Sequence, residues 1–237
     1  MLQVAVINES TAITNPEIQA MLPAFSHQWN KDLAPIWGVG TAHFTFVPKT
    51  TAPASRTWWV VFLDDSDQAK DLAYHDLTNE GLPISKVFVN SVRADEASLS
   101  VSASHEICEM AVDPWLNGAY QDAAGVFWAS EICDPVEDDQ YGYEIGGTLV
   151  TDFVTPGWYA FQHAQGDFDF KRHTQAGFQV LTGGYAQKFD PQKNGWQQVT
   201  GAKALQTQRG AHAPVGSRRE RRVKPRKDWE PSRRKWS

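Results

Sequence analysis

The sequence predicts an α+β fold: strands and a helix in the order β-α-β-β-β, a second helix, then a β-rich C-terminal part, then a basic tail. Three observations carry this. Short β-rich runs in the first 90 residues flank a single long stretch of helical spacing. A second helical stretch is cut off by Pro114. Beyond it Gly, Asp and aromatic residues dominate, and a paired Gly146-Gly147 marks a hairpin.

LQVAVI (2–7) reads as a short buried strand. Thr14-Asn15-Pro16-Glu17 signals a helix start, with a capping hydroxyl, a proline in the first turn and an acid where the helix dipole favours one. Ile18, Met21, Leu22, Phe25, Trp29 and Leu33 continue the apolar face until Pro35 and Gly38 end it, and Pro23 is a candidate kink. HFTFV (43–47), TWWVVFLDD (57–65) and KVFVN (86–90) read as strands, the second apolar on both faces and so central. DSDQAKDLAYHDL (65–77) is expected to hold a short helical turn. The order is β-α-β-β-β, and the next helix begins near Ser98 or Ser100. YEIGGTLVTDFV (143–154) reads as a hairpin, and FQVL (178–181) and YAQKF (185–189) as two further strands. Residues 1–200 are expected to be one globular domain and 201–237 a disordered tail.

Composition sets outer limits. With 41% hydrophobic residues, 10 Trp and 12 Phe, the chain can build a sizeable core. No apolar run approaches the ~18 residues of a membrane span. MLQVAVINES lacks a basic n-region and reads as a first strand, so a cytoplasmic protein is expected, or one released without a classical signal peptide, a virion-associated protein included. The net charge of −6 divides unevenly: residues 218–237 hold ten Lys or Arg against Glu220, Asp228 and Glu230, leaving an acidic body. Such a tail suits nucleic acid or another acidic partner, with Trp229 and Trp236 available to stack on bases.

The chemistry concentrates in SASHEICEMAVDP (102–114). His105, Glu106 and Glu109 spell H-E-x-x-E, one residue away from the H-E-x-x-H of zinc proteases. On a helix, His105 and Glu109 share a face and can converge on one ion, while Glu106 is offset to act as the base toward a metal-bound water. A carboxylate in place of the second imidazole makes the ion a weaker Lewis acid and opens the site to harder metals such as Mn²⁺ or Ca²⁺ as well as Zn²⁺. The motif alone is a weak signal. Apolar neighbours Ile107, Met110, Ala111 and Val112 strengthen it by implying burial, since buried acids need partners or ions.

A third ligand is expected from FWASEICDPVEDDQYGYE (127–144): Glu131, with Asp134 as the alternative. Glu137 and Asp113 are candidates to hydrogen-bond the ligands from outside. Tyr141, Tyr143 or Tyr159 could supply a phenol to an oxyanion, although buried tyrosines are mostly structural. Cys108 reads as a small core residue; a disulfide from the helix to the 131–137 loop, or Cys133 as a soft ligand, are the alternatives. His163 could be a ligand from the β-rich part, and His75 has the same status, although a lone histidine without a motif is more often a surface or core residue; the Trp-rich stretches read as core.

The order of elements and the HEICE helix resemble a zincin-type metallopeptidase domain. SHEICEMAVDPW followed by SEICDPVE also resembles a set of proteins with H-E-L-x-E and E-I-x-D segments, among them plant EXORDIUM-like proteins and, more closely, uncharacterised bacterial and phage-associated proteins. That likeness runs from the first strand to about residue 195. It implies a mixed sheet on the active-site helix with substrate along an edge strand, His105 and Glu109 as ligands, Glu106 as base, and Glu131 and Asp134 in the second acidic segment. The expected function is a zinc-dependent hydrolase, a peptidase acting on a peptide or protein. The alternative is a non-catalytic structural or binding protein, phage-associated for example, that keeps the fold and carries a nucleic-acid-binding tail.

Overall fold

Alternating faces of LQVAVIN are both apolar, which suits a strand with neighbours on either side and layers above and below. In the computed structural model, which describes residues 1–49, 51–67, 71–159, 167–193 and 195–202, Leu2–Asn8 is strand β1. It pairs in parallel with β2 (Ala42–Val47) on one side and β3 (Trp58–Leu63) on the other. β5 (Pro83–Phe88) adds to β3 in parallel, and β4 (Ala73–Leu77) closes the sheet as an antiparallel edge, giving the order β2-β1-β3-β5-β4.

Helix α1 (Asn15–His27) starts where the sequence signals it. Thr14 and Glu17 form a reciprocal capping box, the Thr14 backbone N–H donating to Glu17 Oε2 at 2.7 Å. Pro23 is accommodated within α1. A π-helical turn, Gln28–Leu33, follows and runs into α2 (Ala34–Trp37). The wider turn makes room ahead of Pro35, whose ring would clash with the preceding turn of a continued α-helix. Gly38 ends the run at φ +69°, a left-handed conformation that glycine adopts without strain.

After β5 come α3 (Val89–Ala94) and α4 (Leu99–Val112), the latter capped by Ser98 and ended at Asp113, just before Pro114. α4 is buried along nearly its whole length. One side packs on the sheet through Val60, Phe62, Val87, Ile107 and Met110, each buried side chain of this kind contributing about 1.5–3 kcal/mol. Its other side meets the hairpin β8 (Tyr143–Ile145) and β9 (Thr148–Val150): Ser100 Oγ donates to the Leu149 carbonyl at 2.6 Å, and the Thr151 N–H donates to Ser104 Oγ at 2.9 Å. A second, antiparallel sheet, β11-β10-β7-β6, is built from β6 (Ala119–Gln121), β7 (Phe127–Ala129), β10 (Tyr185–Asp190) and β11 (Gly195–Thr200). Among the described residues no helix is long and apolar enough to cross a membrane.

The expectations need three corrections. AYHDL is strand β4, not a helical turn. Its Tyr74 faces one side of the sheet, where it meets the buried Lys86, and His75 faces the other, so both faces are buried and the apolar alternation that marks a strand is lost. KVFVN splits: the strand starts earlier, at Pro83, and Val89-Asn90 already belong to α3. FQVL is irregular, with only Phe178 in a turn, because its backbone N–H groups go singly to loops and not to a ladder: Phe178 to the Trp158 carbonyl and Leu181 to the Pro135 carbonyl. The basic tail beyond residue 202, His163, and part of the DSDQAK stretch lie outside the described residues.

At the end of β3, Asp64 fastens the turn that leaves β1. It accepts from Ser10 Oγ, from the Thr11 N–H at 2.7 Å, from Thr11 Oγ1 at 2.8 Å and from the Ala12 N–H at 2.9 Å. These bonds, led by that from Ser10, hold its carboxyl well below the usual carboxylate range. Asp64→Ala is expected to lower stability by about 2 kcal/mol in urea unfolding with an unchanged m-value. An unchanged midpoint would show that the turn is held by other means.

Candidate metal centre

The site begins with the helical repeat of α4. Residues four apart share a face, and His105 Nε2 lies 3.4 Å from Glu109 Oε1. Glu106, offset on the helix, turns toward the sheet. There β4 presents His75, in register with Ser85 of β5, and His75 Nδ1 lies 3.1 Å from Glu106 Oε2 and 3.6 Å from Glu109 Oε2. Ser85 fixes the helix against this face by donating to the Glu106 carbonyl at 3.2 Å.

The third wall is the segment after β7. A 3₁₀ turn, Asp134–Val136, brings Asp134 Oδ1 to 3.2 Å from His105 Nε2, and Glu131 Oε2 lies 3.8 Å from His75 Nε2. Backbone bonds hold this loop. The Cys133 N–H donates to Glu109 Oε1 at 3.1 Å, the Val154 N–H donates to the Ile132 carbonyl at 2.7 Å, and the Tyr159 hydroxyl lies 3.1 and 3.2 Å from the carbonyls of Ala129 and Glu131. Gly184 sits so close beneath that an added Cβ would meet the Asp134 carbonyl at 2.7 Å.

All five residues from the sequence motifs, His105, Glu106, Glu109, Glu131 and Asp134, therefore come together, and all are buried, with 2–7% exposure. Four of them, joined by His75, fall into two groups of ligand-type atoms within 4.8 Å of one another: His105, Glu109 and Asp134; and His75, Glu109 and Glu131. Asp134 is thus the partner of His105, while Glu131 groups with His75. His75 was legible only as a lone histidine, because no motif connects a strand histidine to a helix 30 residues later.

Burial would depress the His105 imidazole, but Glu109 and Asp134 hold its pKa well above the usual histidine value. Burial alone would raise Glu109, yet facing His105 it is drawn down to about 2. Burial and the neighbouring Glu109 push Asp134 up to about 8 and Glu131 well above the carboxylate range. Without a cation, then, the cluster holds protons to limit its own repulsion.

His105 and Glu106 open onto a cleft that Ala73, Ser102, Glu137 and Tyr185 also line. Glu137 thus lines the cleft. Tyr185 was not anticipated; burial, then Asp134 and Glu137, keep its phenol protonated. Asp113 serves elsewhere: eight residues along the helix, about 12 Å from His105, it accepts from the backbone N–H groups of Asn117 and Gly118 at 3.0 and 2.9 Å. Tyr141 meets His173 in a tilted contact with ring centroids 5.2 Å apart, outside the cleft, and Tyr143 donates to Asp32 at 2.8 Å. Cys108 and Cys133 are fully buried free thiols, so the bridge between helix and loop is not formed. Burial and Cys108 push the Cys133 thiol up, against its use as a thiolate ligand.

Comparison of the chain with protein-family models, curated proteins and solved structures finds no match.

A third group of ligand-type side chains, Asp152, Asp169 and His173, lies on the C-terminal loops. Backbone donors occupy it. Asp152 Oδ1 accepts from the Phe153 and Lys171 N–H groups, Asp169 from those of His173 and Thr174, and His173 Nδ1 lies 3.0 Å from Asp152 Oδ2. Burial, then Asp169, raises Asp152 to about 9, so this pair retains a proton. A folded-state pKa above the unfolded value of 3.8 means stabilisation that is complete below that value and lost as pH rises toward 9. Asp152→Asn, which mimics the protonated acid, is expected to flatten the fall in urea midpoint between pH 5 and pH 8. Parallel profiles for variant and wild type would contradict the shared proton.

Proposed function

We propose that the protein is a divalent-cation-dependent hydrolase, zinc being the expected ion and a peptide or protein the substrate. The observation that carries this reading is the convergence of His105, Glu109 and Asp134, with His105 Nε2 lying 3.4 Å from Glu109 Oε1 and 3.2 Å from Asp134 Oδ1, beside Glu106 on a cleft. The donor set fits the ion. Nitrogen and oxygen ligands at about 2.0–2.1 Å around a tetrahedral zinc lie about 3.3 Å from each other. The packing of a mixed sheet on α4, with edge strand β4 reaching the cleft at Ala73, supports a zincin-like arrangement.

When bound, zinc supplies Lewis acidity, polarising a carbonyl and lowering the pKa of water. The chain's own groups do the rest. Glu106, oriented by His75, takes the proton of the attacking water on its carboxylate and delivers it to the departing amine. Tyr185, kept protonated, donates a hydrogen bond toward developing negative charge on the substrate oxygen. β4 is the edge strand of the sheet, and its Ala73 end lines the cleft where an extended peptide would lie.

One observation favours the second reading, a non-catalytic binding or structural protein that keeps the cation: Glu106 is engaged by His75 at 3.1 Å. Wild type and Glu106→Gln, assayed on a mixed peptide library with metal content measured in parallel, separate the two. Hydrolysis is expected to drop by about 10²–10⁴-fold in the variant at equal metal content. If neither protein cleaves and both carry the same metal, the non-catalytic reading holds.

A further inference from the structure

We propose that the centre binds two divalent cations, one held by His105, Glu109 and Asp134, the other by His75, Glu109 and Glu131, with Glu109 as the ligand they share. This rests on the cation-dependent reading above and deepens it.

The first support is the way Glu109 is divided. Its Oε1 faces His105 at 3.4 Å and its Oε2 faces His75 at 3.6 Å, so the two oxygens of one carboxylate address two different imidazoles on opposite walls. A ligand serving a single ion has no need of that division, whereas a bridging carboxylate requires it. Each imidazole also has its own second acid: Asp134 lies 3.2 Å from His105 Nε2, and Glu131 lies 3.8 Å from His75 Nε2, the nitrogen left to a ligand when Nδ1 faces Glu106; one atom each of His75, Glu109 and Glu131 lie within 4.8 Å of one another. These acids come from opposite ends of one short loop segment, and the imidazoles from α4 and β4.

The second support is charge. Glu106, Glu109, Glu131 and Asp134 are all buried close together, and once cations displace the protons of the cluster, four carboxylates face two neutral imidazoles. One dication balances two of the four carboxylates and leaves the others to protons. Two dications match four carboxylates, and unpaired buried charge is the costliest state available. The oxygen-rich donor set also suits Mn²⁺ as a probe. Paired cations of this type clamp both the attacking and the departing oxygen or nitrogen of a hydrolysed bond.

The full-length chain, stripped with a chelator and titrated with Mn²⁺ at pH 8, provides the test through bound metal per chain and the electron paramagnetic resonance of the bound ion. Two Mn²⁺ per chain with an exchange-coupled spectrum are expected. His75→Ala is expected to bind one, with an isolated six-line signal. Glu131→Gln removes an acid from the same triad and serves if His75→Ala does not fold, as judged by circular dichroism. One Mn²⁺ per wild-type chain with a six-line signal overturns the pair and leaves the single-cation reading standing. No bound Mn²⁺ and no bound Zn²⁺ removes both.

Discussion

The constraint on which this molecule turns is the burial of four carboxylates and two imidazoles around a single side chain, Glu109. An ionised carboxylate taken from water without compensation costs several kcal/mol. Burying four beside one another is tolerable only if protons or cations neutralise them. The displaced ionisation of Asp134 and Glu131 is the proton form of that neutralisation, and a cation is its more effective replacement.

Much of the architecture serves to hold these groups where they repel one another. α4 is locked on one face by Ser85 and on the other by Ser100 and Ser104, so its acids cannot turn outward. The ligand loop is tied by backbone bonds to Val154 and Leu181 and underlain by Gly184, whose missing side chain lets the second sheet approach Asp134. Such rigidity is costly for an apo protein and useful for a metal site, where ligands must be placed before the ion arrives. The Asp152–Asp169–His173 group makes a useful contrast. There the same residue types are answered by backbone N–H groups, and the outcome is a fastened loop.

What the sequence disclosed follows the range of the forces involved. The ends of α1 and α4 were legible because caps and prolines act within a turn: Thr14 with Glu17, and Ser98 with Pro114. The convergence of His105 with Glu109 was legible for the same reason, being one helical turn. The partition of the second acidic segment was not. Spacing favours Glu131 over Asp134 as the third ligand, and only the 3₁₀ turn beginning at Asp134 brings Asp134 to His105 and leaves Glu131 to His75. His75 stayed hidden because β4 carries Tyr74, His75 and Asp76 buried in succession, which defeats the alternation that identifies strands. Three-residue strands such as β6 and β7 are too short to show a period.

The central claim, that a cation relieves the charge concentrated at Glu109, is tested most directly by thermal unfolding of the full chain at pH 7 as free Zn²⁺ is raised. A ligand at a hundredfold over its dissociation constant adds about 2.7 kcal/mol, so the midpoint should climb by roughly 5–10 °C and keep rising with the logarithm of zinc concentration. A midpoint that stays fixed across the titration would mean that protons alone neutralise the cluster, and that the site is not built for metal.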